Sequence, residues 1–281
     1  MPPQPRKIEA ILVASHPRSG THLVLDTIRR QIPATAGWRL PGLPLDHLYL
    51  NLERLGADWR RFEPALAWRI LRRVKRPLMK THFRADFSDS WSAGESVVPA
   101  AEFQEVVNAA RVIYVVRHPL AVMSSYMQFL SAIHPDVRGM SLDDFIFSPH
   151  WTGQTDRLGW WCAHVQGWRA RPDTLLLRYE DLVASPRPSV EKIAAHIGET
   201  PRLREPYLPP KITSLAQTRL NRLTRLSPPS TAIVGNSARF PLVDWRKTLK
   251  PETREAVRAR CGALLETFGY EVPGIDSVVG E

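Results

Sequence analysis

One stretch near the start limits the possible folds most: Ile11-Leu12-Val13-Ala14-Ser15-His16-Pro17-Arg18-Ser19-Gly20-Thr21-His22-Leu23. The apolar run from Ala10 to Ser15 reads as a buried strand. A turn of Pro, Arg, Ser and Gly ends it, and an apolar-periodic helix follows at once (Leu23, Val24, Leu25, Ile28), from Thr21 to about Gln31. Strand, loop and helix in this order make a phosphate-binding loop. Gly20 lets backbone approach a ligand closely. The free N–H groups and dipole of the helix start favour an anion, and Arg18 adds a fixed cation with a fork of donors. The loop carries no Gly-x-x-x-x-Gly-Lys-Ser/Thr pattern. Alone, the same residues would also serve a plain strand-to-helix turn with a solvated arginine.

The rest of the chain repeats the alternation. Leu78-Met79-Lys80-Thr81-His82 is a short strand running into a loop. Arg111 to Val116 is the clearest strand, halted by Arg117-His118-Pro119, with a helix over Leu120 to Leu130 that has proline at its first turn. Thr174 to Arg178 is another buried strand. Helices are expected over Pro64–Val74, Glu102–Ala110, Ser141–Phe147, Gln154–Arg169, Pro188–Ile197 (with Gly198 just past its end) and Glu252–Phe268. Asp46–Leu55 is mixed, Arg84–Pro99 is polar and loop-like, and Thr200–Pro229 is rich in Pro and Arg and takes no assignment. Short buried strands alternating with helices give an α/β class with a mainly parallel sheet. Ligands in such sheets bind at the carboxyl ends of the strands.

Each confident strand ends in a polar cluster: Arg18, Ser19, Gly20 and Thr21; then Lys80, Thr81 and His82; then Arg117, with Ser125 two turns into the next helix; then Arg178 and Tyr179. A parallel sheet brings all of them to one edge, rich in cations and without an obvious carboxylate pair for Mg²⁺. That edge suits a phosphorylated ligand held by Arg and Lys. Taken singly, Lys80 reads as a surface lysine, His82 as an ordinary loop histidine and Tyr179 as core packing. Glu180 and Asp181 read as caps of the next segment. Arg117 resists such a reading, because His118-Pro119 opens a helix where an anion could sit.

The formal net charge of +10 over 281 residues suits anionic partners. Cys162 and Cys261, the only cysteines, match no metal spacing or CxxC motif. With no signal-peptide core at the N-terminus and no apolar run long enough for a bilayer, the expectation is a reduced, soluble, cytoplasmic protein. A P-loop kinase or NTPase would explain the loop. A basic nucleic-acid-binding protein would explain the charge, although the arginines are scattered and no nucleic-acid motif is present.

At this point the motifs resemble a known family. Ser15–Leu23 is similar to the 5′-phosphosulfate loop of sulfotransferases, usually Tyr-Pro-Lys-Ser-Gly-Thr-Thr-Trp. Val112–Tyr126 is similar to their 3′-phosphate motif, in which an Arg and a Ser eight residues on hold that phosphate; here these are Arg117 and Ser125. Lys80-Thr81-His82 resembles the segment that supplies the base in the cytosolic type. Leu177–Leu182 resembles the Tyr-Glu-Asp-Leu strand end whose Tyr, here Tyr179, lies by the nucleotide. The motifs stand in the family's order over most of the chain.

The resemblance implies a single P-loop-NTPase-like domain, its sheet flanked by helices on both faces, with residues 200–250 a lid over the nucleotide. It implies 3′-phosphoadenosine 5′-phosphosulfate (PAPS) as donor, the bisphosphate PAP as product, and no metal. His82 is then the general base, Arg18 stabilises the charge growing on the leaving phosphate, Lys80 binds an oxygen of the transferring group, and Arg18, Ser19, Gly20, Thr21, His22 and Leu23 cradle the 5′-phosphate. Arg117, Ser125, Tyr179, Thr213, Ser214 and Arg239 complete the nucleotide site. The match weakens toward the C-terminus. Leu215 replaces an adenine-stacking Phe, Asn236-Ser237-Ala238-Arg239 replaces Arg-Lys-Gly, and Arg18 replaces the usual Lys. The acceptor, a small molecule or a glycan, is expected among Trp38–Leu55, Phe83–Trp91 and Phe129–Thr155, which carry Trp38, Tyr49, Phe83, Phe87, Trp91, Phe129, Trp151, His47, His134 and His150. Core packing is the simpler role for most of those aromatics. The family's C-terminal dimer pattern is not recognisable, and the sequence leaves oligomeric state open.

Overall fold

The chain is described by a computed structural model, which covers residues 7–38, 45–55, 64–88, 101–224, 227–232 and 240–272. Five parallel strands form one sheet in the order β2-β3-β1-β4-β5. They are β1 (Ile11–Ser15), β2 (Leu50–Asn51), β3 (Leu78–Thr81), β4 (Arg111–Val116) and β5 (Thr174–Arg178). The helices are α1 (Thr21–Gln31), α2 (Pro64–Leu71), α3 (Ala101–Asn108), α4 (Pro119–Ser131), α5 (Leu142–Phe147), α6 (Arg157–Ala170), α7 (Tyr179–Ala184), α8 (Pro186–Ile197), α9 (Leu215–Thr224), α10 (Trp245–Thr248) and α11 (Pro251–Thr267).

The central strands β1, β3 and β4 are short apolar runs buried on both faces, as a parallel sheet between helical layers requires, whereas β5, expected to be buried, is an edge strand in which only Leu177 is fully buried. Side chains alternate between two cores. Leu12, Ala14, Met79, Val112, Tyr114 and Val116 face the core shared with α2, α3, α4, α6 and α11. Ile11, Val13, Leu78, Ile113 and Val115 face the smaller core under α1 and α8. The chain leaves β1 for β2 and β3 on one side, then crosses to β4 and β5 on the other. That reversal opens a crevice at the carboxyl end of β1.

Three further expectations change. The mixed segment Asp46–Leu55 contains an edge strand, β2, whose two residues are too few for any period to register. α6 starts at Arg157, because Pro149 and Asp156 first close an antiparallel bridge and Asp156 then caps the helix through Gly159 N–H at 2.7 Å. The unassigned Thr200–Pro229 contains α9. Among the described residues no helix is long and apolar enough to cross a membrane.

Ile113 lies in β4 with no exposure. Ile113→Ala should therefore cost about 2–5 kcal/mol, read as a lowered urea midpoint at unchanged slope.

Candidate active site

The loop after β1 is built for close backbone approach. Arg18 (φ 69°) and Gly20 (φ 101°) both take the left-handed conformation. A Cβ on Gly20 would stand 2.5 Å from Tyr179 Cδ2, so the turn and the packing both demand glycine. Gly20 also opens α1, and neither a side-chain cap nor an acidic first-turn residue occupies that helix start. Its unspent N–H groups therefore face the loop. Ser19 Oγ is buried there without a partner, whereas Ser15 Oγ and Thr21 Oγ1 satisfy each other at 2.5 Å.

Two arginines flank the loop. Arg18 Nε donates to Ser125 Oγ at 3.2 Å, and Arg117 Nη1 donates to the Arg18 carbonyl at 3.0 Å. The Arg117 guanidinium lies 4.4 Å from the Tyr179 ring centre, and that of Arg18 lies 5.3 Å from the Phe129 ring centre. Desolvation, and then the charge of Arg117, push the Arg18 pKa down. Arg18 is exposed and Arg117 half-buried, so both guanidinium groups keep donors open to solvent or to an anion. His22, in the first turn of α1, meets Thr231 Oγ1 at 2.9 Å through Nδ1 and stands edge-on to Tyr49. Leu23 packs partly buried on the smaller core.

The second half of the site follows β3. His82 Nδ1 lies 2.8 Å from the Ser15 carbonyl, which can only accept, so Nδ1 carries the proton and Nε2 keeps its lone pair. Desolvation, then the charge of Lys80, hold the His82 pKa well below the ordinary histidine value. The backbone around this ring is gripped from two sides. Glu53 accepts the His82 N–H through Oε1 and the Lys80 ammonium through Oε2 at 2.8 Å. On α6, His164 Nε2 donates to the His82 carbonyl at 3.0 Å, while Tyr114 OH donates to His164 Nδ1 at 2.9 Å. Trp168 Nε1 donates to the Phe83 carbonyl at 3.0 Å.

The family's sequence model, described as a sulfotransferase domain, matches residues 9–269. The chain belongs to the sulfotransferase family. It is 30% identical over 122 residues to a 3-alpha-hydroxysteroid sulfotransferase of Cavia porcellus, covering 42% of each chain. It is 29% identical over 155 residues to sulfotransferase 2A1 of Macaca fascicularis, covering 52% of this chain and 53% of the relative. The chain thus spans about half the length of the curated relatives it matches, or less. The fold is similar to that of mouse sulfotransferase SULT7A1, solved in complex with PAP, at TM-score 0.53 and 17% identity, covering 94% of this chain and 89% of that one.

In this chain the strand-end residues Arg18, Ser19, Gly20, Thr21, Lys80, His82, Arg117, Ser125 and Tyr179 converge on one edge of the sheet. Thr213 and Ser214 do not join them through any contact among the described residues. Their polar groups close a capping box with Gln217 at the start of α9. Arg239 and Trp91 lie outside the described residues. Glu180 does not cap its own helix: Oε1 accepts the His118 N–H at 3.0 Å and Oε2 the Tyr270 hydroxyl at 2.8 Å. This fastens the segment after α11 behind the Arg117 turn. Asp181 pairs instead with Arg178 at 3.2 Å. Of the aromatics considered for an acceptor, Tyr49 and Phe87 are buried, whereas Trp38, Phe129 and Trp151 are exposed. His150 is buried and stacks on Trp160 with ring centres 4.2 Å apart.

Sequence reasoning missed Glu53, His164 and Trp168 as parts of the site. Their partners are distant in the chain, and no local pattern marks them.

The buried imidazoles set the response to acid. Desolvation, followed by the charge of another histidine or of Lys80, holds His16 and His22 at about 3. His164, also desolvated, lies at about 3. The unfolded chain binds these protons near 6.5, so between about pH 6.5 and 3 it holds more protons and folding weakens as pH falls. Asp26 acts oppositely: burial raises it to about 6, so its protonation favours the folded chain below that pH. Three histidines outweigh one carboxylate. The urea midpoint should fall steadily from pH 7 to 4.5; a midpoint that held or rose would contradict the buried neutral cluster.

Proposed function

We propose that this chain transfers a sulfuryl group from PAPS to a hydroxyl or amine of a small-molecule or carbohydrate acceptor, with His82 as general base. One observation carries the reading: His82, with its proton on Nδ1 and the Nε2 lone pair without a partner among the described residues, is tied to Ser15, the residue from which the anion loop springs. Base and phosphate cradle thus share one rigid support. The residues fit a doubly phosphorylated nucleotide. Ser19 Oγ has no partner among the described residues, the α1 start has no side-chain cap, and Arg18 and Arg117 stand together at the loop.

His82 Nε2 takes the acceptor proton as the acceptor oxygen attacks sulfur and the bond from sulfur to the 5′-phosphate oxygen breaks. Arg18 and the first-turn N–H groups, with Thr21, receive the charge that grows on the leaving phosphate. Lys80 keeps donors free beyond its bond to Glu53 and binds an oxygen of the sulfuryl group. Arg117 and Ser125, joined through Arg18, hold the 3′-phosphate, and Tyr179 lies beside the nucleotide. Phe129, beneath Arg18, gives the acceptor an apolar wall. The relative named for a 3-alpha-hydroxysteroid supports an alcohol on an apolar frame as the first acceptor to try.

Incubation with PAPS and a panel of steroid, phenol and sugar acceptors, read by mass spectrometry, tests the activity. Sulfated product is expected from at least one. Absence of product across the panel counts against the reading. His82→Ala should lower kcat about 10²–10⁴-fold. In the wild type the acid limb of kcat/KM should lie below the ordinary histidine range, because protonation removes the base and His82 titrates low. Near-wild-type turnover in the variant would take His82 out of the role.

A further inference from the structure

Cys162 and Cys261 lie 99 positions apart in the chain, yet their Sγ atoms stand 2.6 Å apart where α6 packs on α11. Both are free thiols. Cys162 is half-buried, and Cys261 is buried behind it. The pair belongs to no part of the site described above. Sulfur–sulfur bonding needs a separation of about 2.0 Å, so closure asks for only a small approach between two side chains already facing each other.

The surroundings distinguish the two thiols. Arg260, adjoining Cys261 in sequence, donates to Asp156 Oδ2 at 2.5 Å and lies beside the start of α6. The hydrogen bond with Cys261, aided by the Arg260 charge, holds the Cys162 pKa down against burial, while the same bond and burial push Cys261 up. The more accessible sulfur is therefore also the better thiolate.

We propose that Cys162 and Cys261 form an oxidisable dithiol, which a low-molecular-weight disulfide converts to an intramolecular disulfide fastening α11 to α6. The Cys162 thiolate attacks one sulfur of the small disulfide, forming a mixed disulfide and releasing one small thiol. Cys261 then loses its proton and attacks the Cys162 sulfur, releasing the second small thiol. Two protein thiols are oxidised and one small disulfide is reduced to two thiols, so electrons and protons balance. The bond would join the two supports behind the site. α6 carries His164 and Trp168, which grip the backbone of His82 and Phe83. α11 leads to Tyr270 and Glu271, which hold Glu180 and the His118 ring.

The test treats the reduced full-length chain with oxidised glutathione and follows intact mass and thiol count. The expected product has lost two hydrogens, shows no free thiol, stays monomeric on a non-reducing gel and yields a linked pair of peptides spanning the two cysteines. Its Tm should rise by about 5–10 °C and fall back on reduction, since the bond closes a long loop in the unfolded chain. Cys261→Ser should stop at one glutathione on Cys162, and Cys162→Ser should keep its single thiol over the same time. Two persisting thiols, two attached glutathiones without closure, or a disulfide between two chains would each overturn the proposal in the wild type alone, whether or not the variants fold.

Discussion

The register of β1 between two parallel neighbours governs everything at the top of the sheet. Ala14 lies beside Thr81 and beside Tyr114, and Ser15 beside Val115. Three strand ends therefore stop at one level, where the Ser15 carbonyl reaches His82 and the loop beyond it reaches Arg117. A slip of one residue would send each side chain to the opposite core. The two apolar faces of these strands therefore hold the strand-end chemistry in place.

That arrangement buries polar groups, and the structure answers for most of them. Asp26 inside α1 accepts from Arg29 and from the Thr231 N–H, and Gln31 bonds to the backbone of Arg204 and Tyr207. Tyr114 and His164 satisfy each other and end on the His82 carbonyl. Buried donors and acceptors are costly when unpaired, so the few left over carry information. Ser19 Oγ is one, in the loop itself. Beside it, Arg117 holds the Arg18 carbonyl and its charge pushes the Arg18 pKa down, so two cations stand at the same loop.

The loop and its helix were legible because their signals are local: an aliphatic run, a glycine, then a helical period. The same holds for β4 and β5, whose limits the sequence marks to the residue. β2 escaped because two residues carry no period, and α9 escaped because its pattern is inverted. Thr218 and Asn221 point inward, Asn221 donating to the Ser230 carbonyl, while Leu220 and Leu223 face outward. Thr213 and Ser214 followed a motif whose neighbours had already diverged, and their hydroxyls are spent on helix capping. Glu53, His164 and the cysteine pair depend on contacts between distant segments, which no single-sequence pattern encodes.

The central claim is that the strand-end cations read a nucleotide carrying a 3′-phosphate. Calorimetric titration with adenosine 3′,5′-bisphosphate, beside Mg-ATP and repeated on Arg117→Ala, tests it most directly. The account predicts tight bisphosphate binding, lost in the variant, with weak ATP binding. Absent bisphosphate binding, or tighter binding of ATP, would contradict it and return phosphoryl transfer to first place.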